Sequence, residues 1–145
     1  MKKSARLAAI TKIEEAKEHA EARKLSECRK AAHEKKAKLR ELEEFLGEYN
    51  ERFMQLTRSG AQAEKIRSSH AFLGQLNSAI LQQRKAVLEA ERAAEEYREQ
   101  WMLAKRRVDI LQKAVDKLHV QELQHEQRKE QLIIDELARH KPRDL

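Results

Sequence analysis

The chain has 145 residues, the length of one domain, and 39% of them are charged while only 4% are aromatic. Three glycines and one proline leave few points at which a helix is interrupted, a composition typical of long helices. The single cysteine excludes an intramolecular disulfide and fits a reducing cytoplasm.

The positive charge is concentrated at the two ends of the chain. Residues 1–40 carry 13 basic and 6 acidic residues, and residues 105–145 carry 10 basic and 8 acidic residues, whereas the middle of the chain is slightly acidic. The start of the chain lacks the apolar run of a signal peptide, and no stretch reaches the length of a transmembrane helix. We therefore expect a cytoplasmic protein without direct membrane insertion.

A first heptad repeat predicts a helix over about residues 5–57. Its d positions are apolar except for Lys35. Upstream of the repeat lies a weaker apolar stripe of different helical phase, formed by Leu7, Ile10, Ile13, Ala16 and Ala20. The a positions are Leu25, Ala32, Leu39, Leu46 and Phe53, and the d positions are Cys28, Lys35, Leu42, Tyr49 and Leu56. Such a narrow apolar stripe is typical of a helix packed against another helix.

The heptad repeat is interrupted between residues 57 and 70. In an uninterrupted helix the next a positions would be Gly60, Arg67 and Gly74, none of which suits a buried seam. Gly60 tolerates positive φ, and Ser59 followed by Gln62 fits a capping box. We therefore expect a turn at about residues 57–61.

A second heptad repeat predicts a helix over about residues 62–140. Gln83 is the only polar residue among its a and d positions. The a positions are Leu73, Ile80, Val87, Ala94, Trp101, Val108 and Val115, and the d positions are Leu76, Gln83, Ala90, Tyr97, Ala104, Leu111 and Leu118. The repeat fails after Leu118, so the end of this helix is expected to extend beyond the first helix until Pro142 ends it.

Folding the two helices back on each other brings the two seams together. In this register Phe53 faces Leu73 and Ala32 faces Ala94. The predicted fold is all-α: one domain, residues 1–145, forming a long antiparallel two-helix coiled-coil hairpin. A parallel homodimeric coiled-coil scaffold is the alternative, which the register break and Gly60 disfavour.

The sequence shows no motif typical of a catalytic, metal-binding or nucleotide-binding site. The six histidines do not have the spacing of metal ligands, there is no glycine-rich phosphate loop, and Cys28 occupies a seam position. The basic N-terminal stretch is interleaved with acidic residues and lacks aromatic residues for base stacking, so no nucleic acid is expected as a partner. We expect no catalytic, metal or cofactor site.

The richest apolar cluster lies on either side of the predicted turn. Two interpretations stay open for it: a packed end of the hairpin, or an exposed patch that docks a partner. Its residues are Leu42, Phe45, Tyr49, Phe53, Phe72, Leu76 and Ala79.

The segment that starts at Phe72, FLGQLNSAILQQRKAVLEAE, resembles the FliJ family of flagellar export proteins. The residues that carry the likeness are Phe72, Leu73, Leu76, Ala79, Ile80 and Gln83. Two later segments agree with it, WMLAKRRVDILQK and QELQHEQRKEQLIIDELA, and the likeness covers nearly the whole chain.

The resemblance implies a non-enzymatic component of the flagellar type III export apparatus. Such a protein acts as the central stalk in a hexameric export ATPase, contacts the cytoplasmic part of the export gate, escorts substrate chaperones, and is cytoplasmic but peripheral to the inner membrane. The equivalent stalk of a virulence injectisome is the alternative, and the motif at Phe72 favours the flagellar system.

The resemblance also implies two sets of site residues. As a hypothesis, the basic residues Arg23, Lys24, Arg29 and Lys30 contact acidic residues in the pore of the ATPase ring. The export-gate patch of the family matches Leu42, Phe45, Tyr49, Phe72, Leu76 and Ala79.

Overall fold

The computed structural model describes residues 1–140 and contains two helices in that range. Helix α1 spans Lys3–Arg58 and helix α2 spans Ala63–Arg139. The helices pack against each other and residues 1–140 contain no strand, which confirms the prediction of an all-α helical hairpin. Pro142, predicted to end the second helix, lies outside the described residues.

The loop between the helices consists of residues 59–62 and turns at Gly60, whose φ is 71°. The hydroxyl of Ser59 donates a hydrogen bond of 3.0 Å to the carbonyl oxygen of Leu56, so Ser59 caps the end of α1. The predicted capping box is therefore wrong. Because α2 begins at Ala63, its N-cap position is Gln62, and Ser59 lies too far upstream to cap it.

The chain divides into two compact units, and each unit contains part of both helices. We call Glu21–Trp101 the central unit, and Met1–Ala20 with Met102–Leu145, of which residues 1–20 and 102–140 are described, the terminal unit.

The core of the central unit follows the predicted heptads. Its buried apolar side chains all lie at a or d positions: Leu25, Ala32, Leu73, Leu76, Ile80 and Val87. Near the loop, the ring of Phe53 lies 6.1 Å from that of His70, three residues closer to the loop than the Leu73 that the register placed opposite it.

The core of the terminal unit has a different character, because small and polar side chains fill the α1 side of it. The buried residues here are Ser4 and Thr11 from α1 with Ala104 and Val108 from α2. Ser4 and Thr11 continue the series of a positions in steps of seven from Leu25, so the phase-shifted stripe of Ile10 and Ile13 lies outside the seam.

Polar contacts hold the first residues of α1 to α2. The backbone N–H and the hydroxyl of Ser4 donate hydrogen bonds of 3.1 and 2.5 Å to the carboxylate of Glu122, and Lys2 forms an ion pair of 2.6 Å with Glu126. Contact between the helices therefore extends past Leu118, where the apolar seam ends. Residues 127–140 are all exposed.

Candidate functional site

Three aromatic rings form one cluster across both helices of the central unit. The ring centroids of Phe45 and Tyr49 are 6.1 Å apart, those of Phe45 and Phe72 are 6.2 Å apart, and those of Tyr49 and Phe72 are 4.7 Å apart. Phe45 and Phe72 are 40% and 38% exposed, and Tyr49 is half-buried. The cluster is thus a surface patch that is anchored on one side by the seam.

The heptad explains why these rings meet. Phe45 and Phe72 both occupy g positions, which lie beside each other on one flank of an antiparallel pair, and Tyr49 is the adjacent d residue. The opposite flank carries e positions, where Lys36 pairs with Glu91 at 3.1 Å and Arg84 pairs with Glu43 at 3.3 Å. Aromatic residues and ion pairs therefore occupy opposite flanks of the central unit.

The remaining predicted patch residues are less accessible. Leu76 is only 6% exposed and packs in the seam, while Leu42 and Ala79 are half-buried. Burial thus divides the apolar cluster: Leu76 belongs to the packed seam, whereas Phe45 and Phe72 present accessible ring surface.

The predicted basic residues are all exposed on α1 of the central unit. Lys24 forms an exposed ion pair of 3.6 Å with Glu21, and such pairs contribute little stability. Arg23, Arg29 and Lys30 have no ion-pair partner within residues 1–140. These three cations are therefore available to an acidic partner.

A cavity of about 290 Å³ lies beside the two small seam residues Ala32 and Ala94. Its charged lining is largely internally compensated, because Lys36 pairs with Glu91 and the guanidinium of Arg98 lies 2.9 Å from Glu95. The lining consists of Arg29, Ala32, His33, Lys36, Glu91, Ala94, Glu95 and Arg98. This set of paired charges is typical of a solvated groove between two helices.

Neither a metal cluster nor a membrane-spanning helix is found in the described part of the chain. Residues 1–140 contain no group of three or more His, Cys, Asp or Glu side chains that could hold a metal ion. Over the same range neither helix is apolar enough along a sufficient length to cross a bilayer. Cys28 is a free thiol at a half-buried seam position.

One contact between the helices joins the two residues that interrupt the predicted seams. The side-chain amide of Gln83 donates a hydrogen bond of 3.0 Å to the backbone carbonyl oxygen of Lys35. The sequence pattern marks each residue as an exception within its own helix, but the predicted register, in which Ala32 faces Ala94, does not place the two opposite each other.

The polar contacts at the start of α1 shift the pKa values of the groups that form them. The hydrogen bonds from Ser4 hold the pKa of the Glu122 carboxyl below its ordinary value of 4.5. The hydrogen bond and the charge of Lys2 lower the pKa of Glu126, and Glu126 in turn raises the pKa of Lys2. The sequence pattern does not reveal this site, because Glu122 falls at an a position beyond Leu118, where the apolar repeat has already failed.

Comparison of the chain with curated proteins and with solved structures gave no match. A family model described as "Flagellar FliJ protein" matches residues 2–144, nearly the whole chain. Proteins of this family are in general non-catalytic export components, and the match supports a role related to flagellar export. On this evidence, the helical hairpin described above belongs to the FliJ family.

Proposed function

We propose that this chain is the central stalk of a flagellar export ATPase ring, couples that ring to the export gate, and escorts substrate chaperones. It acts without catalysis of its own, in the cytoplasm at the inner-membrane export apparatus. The observation that carries the proposal is the family match over residues 2–144. The assignment of chaperone escort rests on family membership alone.

The proposed ring contact is the basic stretch of α1, formed by Arg23, Lys24, Arg29 and Lys30. Three of these four cations have no ion-pair partner within residues 1–140, so their charge is not compensated by the chain itself. Cations of this kind steer and orient binding to an acidic surface. We therefore assign them to acidic residues of the ATPase pore.

The test is ATP hydrolysis by the flagellar export ATPase from the same organism, measured with and without this chain. Stimulation is expected when one chain is added per hexamer. A variant with Arg23, Lys24, Arg29 and Lys30 replaced by Glu should lose most of this stimulation, because each attraction becomes a repulsion.

The control for charge alone replaces four other exposed cations of the central unit by Glu: Lys65, Arg67, Lys85 and Arg92. These residues also have no ion-pair partner within residues 1–140. Equal loss of stimulation in both variants, or unchanged stimulation in the first, would reject the assignment. Circular dichroism verifies that each variant remains helical.

The proposed gate contact is the accessible ring surface of Phe45 and Phe72. Aromatic side chains that are partly exposed and anchored in a seam are typical of binding hot spots. Replacing both by Ala should abolish binding to the cytoplasmic part of the export gate while helicity is retained. Replacement of Met54 and Leu81, which are more exposed but lie outside the cluster, should leave gate binding intact.

A further inference from the structure

Two isoleucines at the start of α1, in the terminal unit, are exposed although the unit has an apolar core on the α2 side. The a and d positions of α1 in this unit hold Ser4 and Thr11, which are buried, and Leu7, Glu14 and Glu18, which are half-buried. Ile10 and Ile13 of the same segment are 49% and 59% exposed. Because α2 covers the polar residues of this segment and leaves the isoleucines uncovered, the isoleucines are available to something other than α2.

Two aliphatic residues of α2 lie on the same flank as these isoleucines. On α1 Ile10 and Ile13 occupy g and c positions, and on α2 Leu103 and Ile110 occupy c positions, with 53% and 67% exposure. The g flanks of antiparallel helices adjoin each other, as the contact between Phe45 and Phe72 shows in the central unit. The four aliphatic residues therefore share one face of the terminal unit.

The same face is rich in cations and free of acidic residues. On α1 the g and c positions from 3 to 20, and on α2 the g, c and f positions from 103 to 124, contain no Asp or Glu. The acidic residues of these segments lie elsewhere: Glu14, Glu15 and Glu18 are half-buried, Asp109 and Asp116 occupy b positions, and Glu122 occupies an a position. The cations on the face are Lys3, Arg6, Lys17, Arg106, Arg107, Lys113 and Lys117. We call this surface the basic apolar face.

Most of this charge is uncompensated by the chain. Lys17 lies 3.3 Å from Glu14, but the other six cations have no ion-pair partner within residues 1–140. A partner of the basic apolar face must therefore combine negative charge with an apolar layer beneath it.

The positions of the aliphatic residues distinguish a flat partner from a third helix. A third helix would lie in the groove between α1 and α2, against the g positions. Those positions hold mainly cations and small or polar residues: Lys3, Ile10 and Lys17 on α1, and Arg107, Ala114 and Gln121 on α2. Three of the four large aliphatic residues occupy c positions, farther from the groove, where they reach a flat surface.

We propose that the terminal unit binds the surface of a bilayer that contains anionic lipids, through the basic apolar face. The aliphatic side chains enter the boundary between headgroups and acyl chains, and Lys and Arg extend their heads to the lipid phosphates. This mode of binding requires no spanning helix. The proposal stands independently of the stalk function.

The test is flotation of the full chain with vesicles of phosphatidylcholine alone, or of phosphatidylcholine and phosphatidylglycerol in equal parts. Binding is expected to the anionic vesicles only and should weaken as salt is raised. The double variant Ile13→Ser with Ile110→Ser should lower affinity by about tenfold, because the buried aliphatic area is lost.

Matched controls come from the central unit. Leu81 and Leu88 are 58% and 55% exposed, close to the values of the tested isoleucines, and their replacement by Ser should leave vesicle binding unchanged. The variant Arg107→Gln with Lys117→Gln should weaken binding, whereas Lys85→Gln with Arg92→Gln should have a much smaller effect. Circular dichroism and thermal melting verify that all variants fold.

Three outcomes overturn the proposal. The first is absence of binding to anionic vesicles by the unmodified chain, and the second is equal loss of binding in the test and control variants. The third is absence of vesicle binding by the unmodified chain, combined with loss of ATPase stimulation in the Ile13 and Ile110 variant. This result would assign the basic apolar face to a protein partner.

Discussion

Gly60 shows how one residue determines the path of the chain between the two helices. Its φ of 71° lies in the left-handed region, and a Cβ at this position would meet no atom within 4 Å. The cost of a side chain at Gly60 is therefore conformational rather than steric. Gly74 is the useful comparison, because it lies within α2 and also has open space around its Cα.

We predict opposite effects of alanine at these two glycines. Gly60→Ala should lower the free energy of unfolding by about 1–2 kcal/mol, because an L-residue is strained in the left-handed region. Gly74→Ala should raise it by about 0.5–1 kcal/mol, because alanine loses less entropy than glycine in a helix. Urea denaturation followed by circular dichroism measures both, and equal effects of the two substitutions would contradict the role of φ at Gly60.

The contact between Ser4 and Glu122 gives a pH-dependent attachment of the start of α1. Since the folded-state pKa of Glu122 lies below its ordinary value, its contribution to stability is present above about that value and is lost as the pH falls through the folded pKa. Glu126, whose pKa Lys2 lowers, acts in the same direction. Lowering the pH should therefore weaken the contacts that hold the first residues of α1 to Glu122 and Glu126 of α2.

We predict that Ser4→Ala moves the pKa of Glu122 upward toward its ordinary value, because the hydrogen bond from the Ser4 hydroxyl is the largest cause of the shift. An NMR titration of the Glu122 side-chain carboxyl measures this pKa directly. Ser26, an exposed serine of the central unit, provides the control substitution. An unchanged pKa in the Ser4 variant would show that the hydrogen bond is not maintained in solution.

At the scale of the elements, the heptad repeats that start at Leu25 and at Leu73 each have one polar exception within the central unit, and these two exceptions meet. Gln83 is half-buried, and its amide reaches the carbonyl oxygen of Lys35 across the seam. A single polar residue in a coiled-coil seam specifies register at a cost in stability. Gln83 therefore favours one alignment of α1 and α2 over alignments shifted by a heptad.

We predict that Gln83→Leu raises the free energy of unfolding by about 1 kcal/mol, because an apolar side chain replaces a polar one in the seam. Gln82→Leu places the same residue at the exposed neighbouring position and should have little effect. Chemical denaturation compares the variants. A less stable Gln83 variant would mean that the hydrogen bond to Lys35 contributes more than the apolar contact that replaces it.

The heptads from Leu25 and from Leu73 were sufficient to predict the two helices, the break between them and most of the central seam. The sequence pattern was insufficient for the terminal unit, because Ser4, Thr11 and Glu18 carry no apolar signal although they continue the repeat. A continuous helix keeps its seam in phase whatever residues occupy it. The cap at Ser59 was assigned to the wrong helix because a capping box matches by spacing alone, while the helix start decides which residue is the N-cap.

The candidate site was predictable to different degrees. The g positions of Phe45 and Phe72 follow from the heptad, and so does the burial of Leu76 at a d position. The mutual contacts of the rings depend on the packing of side chains near the loop, where the ring of Phe53 also meets that of His70, and heptad positions alone do not predict such contacts. The exposure of the basic residues is expected for any solvated helix face, and their partner is not encoded in that exposure.

At the scale of the whole molecule, the end of α2 makes no seam with α1. Residues 127–140 are exposed throughout, and their large aliphatic residues, such as Leu132 and Leu137, are 66% and 67% exposed. This segment therefore adds helix length without burying apolar surface against the rest of the chain.

We predict that a chain ending at Lys129 melts at nearly the same temperature as the full chain, because residues 130–140 are all exposed and bury no apolar surface against α1. A chain ending at Leu118 should melt at a lower temperature, because it lacks Glu122 and Glu126, the partners of Ser4 and Lys2. Differential scanning calorimetry compares the three chains. A large decrease in the melting temperature of the longer truncation would show that the end of α2 contributes to folding.

The polar seam of the terminal unit also determines how unevenly the native state opens. Where Ser4, Thr11 and Glu18 line α1, separation of the helices exposes buried apolar side chains mainly on the α2 side, whereas separation at Leu25 or Ile80 exposes buried aliphatic side chains on both helices. Local opening should therefore begin at the start of α1 and become progressively rarer toward the central unit. Amide protons of residues 5–18 would then exchange with solvent sooner than those near Leu25, so that one continuous helix has a labile beginning and a long-lived interior.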